Sequence, residues 1–287
     1  MHILPFQRFE QLKQQRQPFL ERAREGAKLT LPFLLPSADA LPRPTEKALT
    51  TPYQGIGARG VNHLASKLLL TLLPPNSPFF RLVINEADLP HVADAEEAKL
   101  KTDVEEGLNR CERIIMADIE TSSLRVLAFE ALRHLIVTGN SLLYMGPSTG
   151  GSGGRLKNSM LPGVSDPGMR VFNLASYVVH RSPSGAVLEI LTQETLVSGG
   201  LSPKGLDPKT QGVEIQGIGT QEEKTKILTT HIFLEDGLGL SPFWHVRQQV
   251  GETIVLDAPN SYPRDRSPWL PLRLLRMDGE SYGRGLI

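Results

Sequence analysis

Cysteine is almost absent: Cys111 is the single one in 287 residues, so no disulfide can form within the chain. That argues against a small secreted, disulfide-held scaffold. Net charge is absent too. Lys plus Arg and Asp plus Glu are both 31, which leaves no strongly basic surface of the kind that binds nucleic acid tightly. It also removes the solubility margin that net charge gives a monomer, and so favours a chain whose surfaces are used in contacts. No long apolar run occurs. The longest, near Leu68–Leu73, falls far short of a bilayer span. The N-terminus has no basic segment followed by an apolar one, so no signal peptide is read. The chain is expected to be soluble.

What is present is the composition of a folded protein, with 40% apolar and 22% charged residues. The length allows one large domain or two modest ones. Three segments are expected: 1–52, an N-terminal helix and Pro-rich arm; 53–145, a helical core; and 146–287, an antiparallel β-rich region with two Gly-rich loops. Phe6–Leu31 reads as a helix with Phe9, Leu12, Phe19, Ala23 and Ala27 on its apolar stripe, and Pro18 marks a kink or restart. Pro32–Pro52 carries too many prolines for a regular element. Ile56–Leu73 is a second helix, its face set by Ile56, Leu64, Leu68 and Leu72 and widened by Val61, Ala65 and Leu69. Phe79–Ile84 reads as a buried strand. Glu96–Ser123 is a long helix whose Leu100, Val104, Leu108, Cys111, Ile115 and Ile119 predict one buried stripe. Its acids gather near the N-terminal end, where the dipole favours them. Leu124–Thr138 is a further helix, capped by Gly139-Asn140.

After this point strands dominate. Ser141–Met145, Val171–Leu174 and Tyr177–His180 are short apolar runs. Ala186–Leu191 is expected to pair with Tyr177–His180 across an Arg181–Gly185 turn. Thr225–Glu235, Phe243–Val250, Glu252–Leu256 and Leu270–Arg276 read as further strands. Gly146–Gly168 and Ser198–Thr220 should be loops, the first of them mobile. Helices first and antiparallel strands second make the fold class α+β.

Candidate chemistry is thin. Gly55-Ile56-Gly57-Ala58-Arg59-Gly60 matches a dinucleotide-binding glycine pattern, but no strand precedes it and no acid follows at the ribose distance. It reads as a helix start whose small residues permit close packing. No P-loop, Gly-x-Ser-x-Gly elbow or His-Glu-x-x-His occurs. His2, His63, His91, His134, His180, His231 and His245 show no metal-ligand spacing. Glu105-Glu106 point to different parts of a helix, and Asp278-Gly279-Glu280 reads as a turn. Cys111 reads as a buried structural thiol. Arg8, Lys13, Arg16, Arg22, Arg24 and Lys28 scatter around the first helix, where a loose contact with a DNA backbone is conceivable. No catalytic, cofactor-binding or metal residue is assigned. A pocket holding His134 or His180 beside Asp or Glu would favour an enzyme.

Four blocks carry a resemblance. They are Thr51–Gln54 with Gly57–Leu68; Val104–Leu108 with Glu112–Met116; Phe129–Leu132 with Val137–Tyr144; and Arg276–Arg284. In this order they resemble the portal proteins, or head-to-tail connectors, of short-tailed tailed phages, over about Ala23–Ile287. The resemblance implies a fold of wing, stem, clip and crown. It implies a homo-oligomeric ring, usually of about twelve subunits, at one capsid vertex of the virion, assembled in the host cytoplasm. Double-stranded DNA would pass through it, without sequence preference, in packaging and ejection. Terminase would dock during packaging, and tail and adaptor proteins afterwards. The major capsid protein and internal core proteins are further implied partners. No membrane, cofactor or enzymatic activity is implied. The chain resembles the N-terminal half of the family, mostly wing, and its abrupt end at Gly283–Ile287 reads as a fragment whose parent continues. The helix at Glu96–Ser123 and the arm at Pro32–Pro52 are the candidates for subunit contacts. The alternatives are another adaptor or scaffold ring protein of the capsid, or an uncharacterised enzyme.

Overall fold

A computed structural model describes residues 4–35, 54–75, 77–83, 94–122, 124–146, 169–196, 226–235 and 242–287. Four helices come first: α1 (Pro5–Leu29), α2 (Ile56–Leu72), α3 (Asp94–Thr121) and α4 (Leu124–Thr138). Eight strands follow: β1 (Asn140–Tyr144), β2 (Arg170–Phe172), β3 (Tyr177–Arg181), β4 (Val187–Leu196), β5 (Lys226–Glu235), β6 (Phe243–Val250), β7 (Thr253–Pro263) and β8 (Trp269–Arg273). Every pairing is antiparallel, in a small sheet ordered β2-β1-β8 and a meander ordered β3-β4-β5-β6-β7. The α+β class is thus observed.

Alternation along the strands splits the meander into two unlike faces. One row, Val179–Ile190–Ile232–Val246, runs across four strands in register. Its members are all at most 3% exposed. Each such aliphatic contributes about 1.5–3 kcal/mol by leaving water. This row joins Leu20, Ala23 and Ala27 of α1, Val61 and Ala65 of α2, Leu132 to Val137 of α4, and Tyr144 and Trp269 of the small sheet in one core. On the opposite face, the first half of α1 packs down, and Phe9 and Leu12 cover Val178 and Leu191.

Pro18 does not break α1. It lies on the exposed side, where its ring and missing N–H disturb no packed neighbour. Two of the expected helix stripes are corrected by burial. On α2 the buried face centres on Val61 and Ala65, with Leu64, Leu68 and Leu69 beside them, whereas Ile56 and Leu72 point outward. On α3 no side chain from residue 101 to 121 is buried. Val104, Leu108 and Ile119 are half-buried, but Cys111 and Ile115 are exposed. The helical period is right; what is missing is an element for the face to press on, since α3 has no extensive packing with another described helix or strand. The expected buried strand at Phe79–Ile84 is likewise corrected. Residues 77–83 form no ladder, and Val83 is 79% exposed. The Leu82 N–H instead donates to Glu112 Oε1 of α3 at 2.5 Å.

The C-terminal strand is shorter than its apolar run. β8 stops at Arg273, and Leu275 turns away to bridge Arg284. β4 and β7 are longer than expected, because the ladder with their neighbours continues past the apolar residues. Most of the Pro-rich arm, nearly all of both Gly-rich loops and residues 236–241 lie outside the described residues.

Candidate functional site

The second face of the meander carries a network of charged and aromatic side chains. Val178, Leu191, His231, Arg247 and Asp257 form one cross-strand row, and His180, Glu189, Phe233 and His245 form the next. Arg8 of α1 grips Glu189 with two bonds, Nε to Oε2 at 2.9 Å and Nη2 to Oε1 at 2.8 Å. His231 Nε2 lies 3.3 Å from the same carboxylate. Phe233 is the hinge of the pair of rows. Its ring centroid is 4.6 Å from both His231 and His245, with Arg247 over its face at 5.7 Å. His245 presents Nδ1 to Glu235 at 2.9 Å and Nε2 to Asp257, which Arg247 also holds at 3.1 Å.

Burial raises the Glu189 carboxyl, but the nearby His231 and the hydrogen-bonded Arg8 more than reverse this and hold it down at about 2. Burial lowers His231, against the pull of Glu189, so the ring favours its neutral form. Positive charge on this face is therefore answered by carboxylates of the same chain. The network locks α1 onto the sheet; it does not offer a free basic surface.

That arrangement decides the basic residues of the first helix. Arg8 is taken by Glu189, and Lys13 pairs with Glu10 at 3.1 Å. Arg16 is 2% exposed, and its Nη1 donates to the carbonyls of Ala175 and Tyr177 at 2.9 and 2.7 Å. Neither Arg8 nor Arg16 is placed to meet a DNA backbone, although Arg22 and Lys28 are exposed. The Gly55–Gly60 stretch is the start of α2. A Cβ on Gly57 would come within 2.7 Å of the Leu29 carbonyl, so close helix packing accounts for the glycine. Cys111, expected in the core, is exposed. Glu105 and Glu106 are exposed on α3, and Asp278-Gly279-Glu280 is a turn with Gly279 at φ +74°.

Among the histidines, His2 and His91 lie outside the described residues, and His63 is exposed. His134 is 4% exposed in the core, its Nδ1 without a hydrogen-bond partner. Burial, then the nearby Arg133 charge, lowers it to about 4. His180 lines a groove beside Arg181, Arg273, Arg276 and Glu280, where the Glu280 carboxylate is held by Arg284 at 2.5 Å. Among the described residues, no group of three or more His, Cys, Asp or Glu is arranged to hold a metal.

His134 makes acid sensitivity testable. Its folded pKa lies below the unfolded value near 6.5, so the unfolded chain binds the proton more readily between those two values. Stability is expected to fall as pH drops from about 6.5 to 4, by roughly 3 kcal/mol in total. Thermal unfolding across that range should show it, and His134→Met should flatten the profile. An unchanged slope in the variant would assign the acid loss elsewhere.

The sharpest geometry lies where α4 ends. Gly139 adopts φ +77°, and its N–H caps the helix by donating to Leu135 O at 2.9 Å. Asn140 follows, 1% exposed. Its Nδ2 donates to Thr138 O and Gly283 O at 2.9 and 2.8 Å, and its Oδ1 accepts from Gly283 N at 2.7 Å. The segment at Gly283–Leu286 crosses the helix end, with Leu286 N donating to Ile136 O at 2.9 Å. Tyr282, 2% exposed, accepts from Val179 N at 2.9 Å. Two stretches that carry the family resemblance, Val137–Tyr144 and Arg276–Arg284, are thus one structural unit. Their sequence separation hides this, although a paired Gly-Asn and Gly-x-Gly is the visible signal.

Comparison with known proteins bears on this chain as a whole. The family model for the bacteriophage head to tail connecting protein matches residues 6–287. The portal protein of Escherichia phage T7 is 37% identical over 283 residues, covering 97% of this chain and 47% of that protein. The portal protein of Enterobacteria phage T3 is 36% identical over 277 residues, covering 96% of this chain and 46% of that protein. That of Enterobacteria phage SP6 is 30% identical over 278 residues, covering 97% and 48%. The chain spans about half the length of the curated relatives it matches. With a match running from α1 through the Gly283–Ile287 crossing, this chain belongs to the bacteriophage head-to-tail connecting protein family.

Proposed function

We propose that this chain is a structural portal subunit, part of a ring at one vertex of the capsid in the virion. The observation that carries the reading is the continuity of the match: it runs through residues 6–287 and takes in helices, both sheets and the terminal crossing. The ring is the channel for double-stranded DNA during packaging and ejection, and the platform for terminase, then for adaptor and tail proteins. The major capsid protein surrounds it, and internal core proteins sit above it. The described α+β body is the wing region, divided as 1–52, 53–145 and 146–287, and the stem, clip and crown belong to the other half of a full-length relative. The subunit hydrolyses nothing itself.

Physical features support this reading. A channel that passes any genome sequence cannot read bases, and cannot grip phosphates tightly without opposing sliding. A chain whose charges sum to zero, and whose Arg8 and Arg16 donate to groups of the same subunit, suits that duty. Ile56, Leu70 and Leu72 of α2, Ile114 of α3 and Val126 of α4 are all more than half exposed. Apolar exposure on neighbouring helices calls for cover by another surface. A closed ring supplies it through heterologous contacts, in which one face of a subunit meets a different face of the next.

The test is the mass of the full-length protein by native mass spectrometry. A closed ring of about twelve subunits is the expected result. A stable monomer across micromolar concentrations would overturn the reading.

A further inference from the structure

Positive charge gathers in the groove between the β3–β4 turn and the turn that follows β8, and none of it is answered there. Arg181, half-buried on β3, donates Nε to Ser281 O at 3.1 Å, Nη1 to Gly185 O at 3.2 Å and Nη2 to Pro271 O at 2.9 Å. Arg273 Nη1 donates to Glu280 O at 2.7 Å, and Arg276 Nη2 to Ser184 O at 2.9 Å. These carbonyls fix the planes of three guanidiniums but bring no negative charge. Arg273 and Arg276 also converge on one point. A Cβ added to Gly185 would lie 3.2 Å from Arg273 Nη2 and 2.8 Å from Arg276 Nη2.

The one acid among the groove's lining residues is Glu280. Both its oxygens face Arg284, at 2.5 and 3.3 Å. Some arginines elsewhere find carboxylates, as half-buried Arg8 does with Glu189 and buried Arg247 with Asp257. Arg181, Arg273 and Arg276 have no ion pair among the described residues. Like charges held together without a counter-charge repel one another, and an anion taken up in the groove relieves this. Burial chiefly, and then the neighbouring Arg273 charge, lowers Arg181 to about 10.

We propose that this groove is a binding site for a phosphate-class oxyanion. Arg273 and Arg276 converge on one region, and Arg181 adds positive charge in the same groove, an arrangement that suits a multiply charged tetrahedral oxyanion. A single carboxylate would leave most of the charge unanswered. The phosphate is either free inorganic phosphate or a phosphodiester of a nucleic-acid backbone. This site stands apart from the ring assignment, because it is built from the residues of one subunit.

The experiment titrates the protein with sodium phosphate by calorimetry, against sodium chloride of equal ionic strength. Saturable binding of phosphate is expected, weakened at least tenfold by Arg276→Gln and by Arg273→Gln. Arg266→Gln, an exposed site outside the groove, should leave it unchanged. Arg276 is itself exposed, so its variant should keep the fold, which circular dichroism would verify. Arg181 is left intact because its three bonds tie β3 to the chain after β8. Displacement of phosphate by a short DNA duplex would assign the site to a nucleic-acid backbone; binding without displacement would assign it to the free ion. Absence of saturable phosphate binding, or equal binding by wild type and both groove variants, overturns the proposal.

Discussion

Gly139→Ala is expected to cost about 4 kcal/mol of stability, through two additive causes. The residue sits at φ +77°, in the left-handed region where a Cβ is strained by about 1–2 kcal/mol. That Cβ would also come within 2.2 Å of the Arg284 carbonyl carbon and 2.4 Å of Gly285 N. Backbone cannot swing aside as a side chain can, so the Gly283–Leu286 crossing must lift from α4. Two companion variants separate the causes. Gly251→Ala, at φ +59° with nothing within 4 Å, should cost about 1 kcal/mol from strain alone. Gly285→Ala has no positive φ, but its Cβ would meet Val137 O at 2.5 Å, so it should show the clash alone. Denaturant unfolding of the three would settle the matter, and equal losses at Gly139 and Gly251 would mean the terminal crossing does not pack as described.

Asn140→Ala should be as damaging, at about 3–5 kcal/mol, for a different reason. Its carboxamide completes three hydrogen bonds in a place that water does not reach. Removing it leaves Thr138 O, Gly283 O and Gly283 N–H without those bonds, and each buried polar group so stranded costs about 1–3 kcal/mol. The neighbouring Ser141→Ala is the control. Ser141 is fully buried, but its Oγ has no partner, so its loss should cost less than about 1 kcal/mol. Hydrogen exchange should report the same contrast locally, with faster exchange of the Gly283 amide in Asn140→Ala only. Protection of that amide unchanged in the variant would refute the link between the two segments.

Both predictions concern residues legible in the sequence as a helix stop and as members of two resemblance blocks. Gly139-Asn140 declared itself as a cap because a cap is local: the signals lie within a few residues of the bond they serve. That the same two residues receive the chain from Gly283 could not be read from a window of any helical or strand length. The resemblance blocks hinted at it by singling out both stretches, without saying that they touch.

Other elements divide the same way. The helices α1, α2 and α4, the β3–β4 hairpin and the α+β order were readable because periodicity, Gly turns and apolar alternation act over short range. The stripe on α3 and the run at Phe79–Val83 had the right local pattern, yet Cys111, Ile115 and Val83 are exposed. Apolar periodicity says which side of an element seeks cover; whether cover arrives depends on a distant partner. Arg16 shows the converse. Its position in a charged, Gln-rich helix suggests solvent, but two carbonyls at the start of β3 receive it in the core. The arginine groove and the Glu189–His231–Arg247–Asp257 face were invisible for the same reason. They require the register of β3 through β8, and register is set by pairing across the sheet rather than along the chain. The sequence by itself determined most of the elements, their order, the cap at Gly139 and the family. Only the tertiary structure decided which faces are buried, which charges are answered and that Asn140 receives the chain at Gly283, because those depend on contacts between residues far apart in sequence.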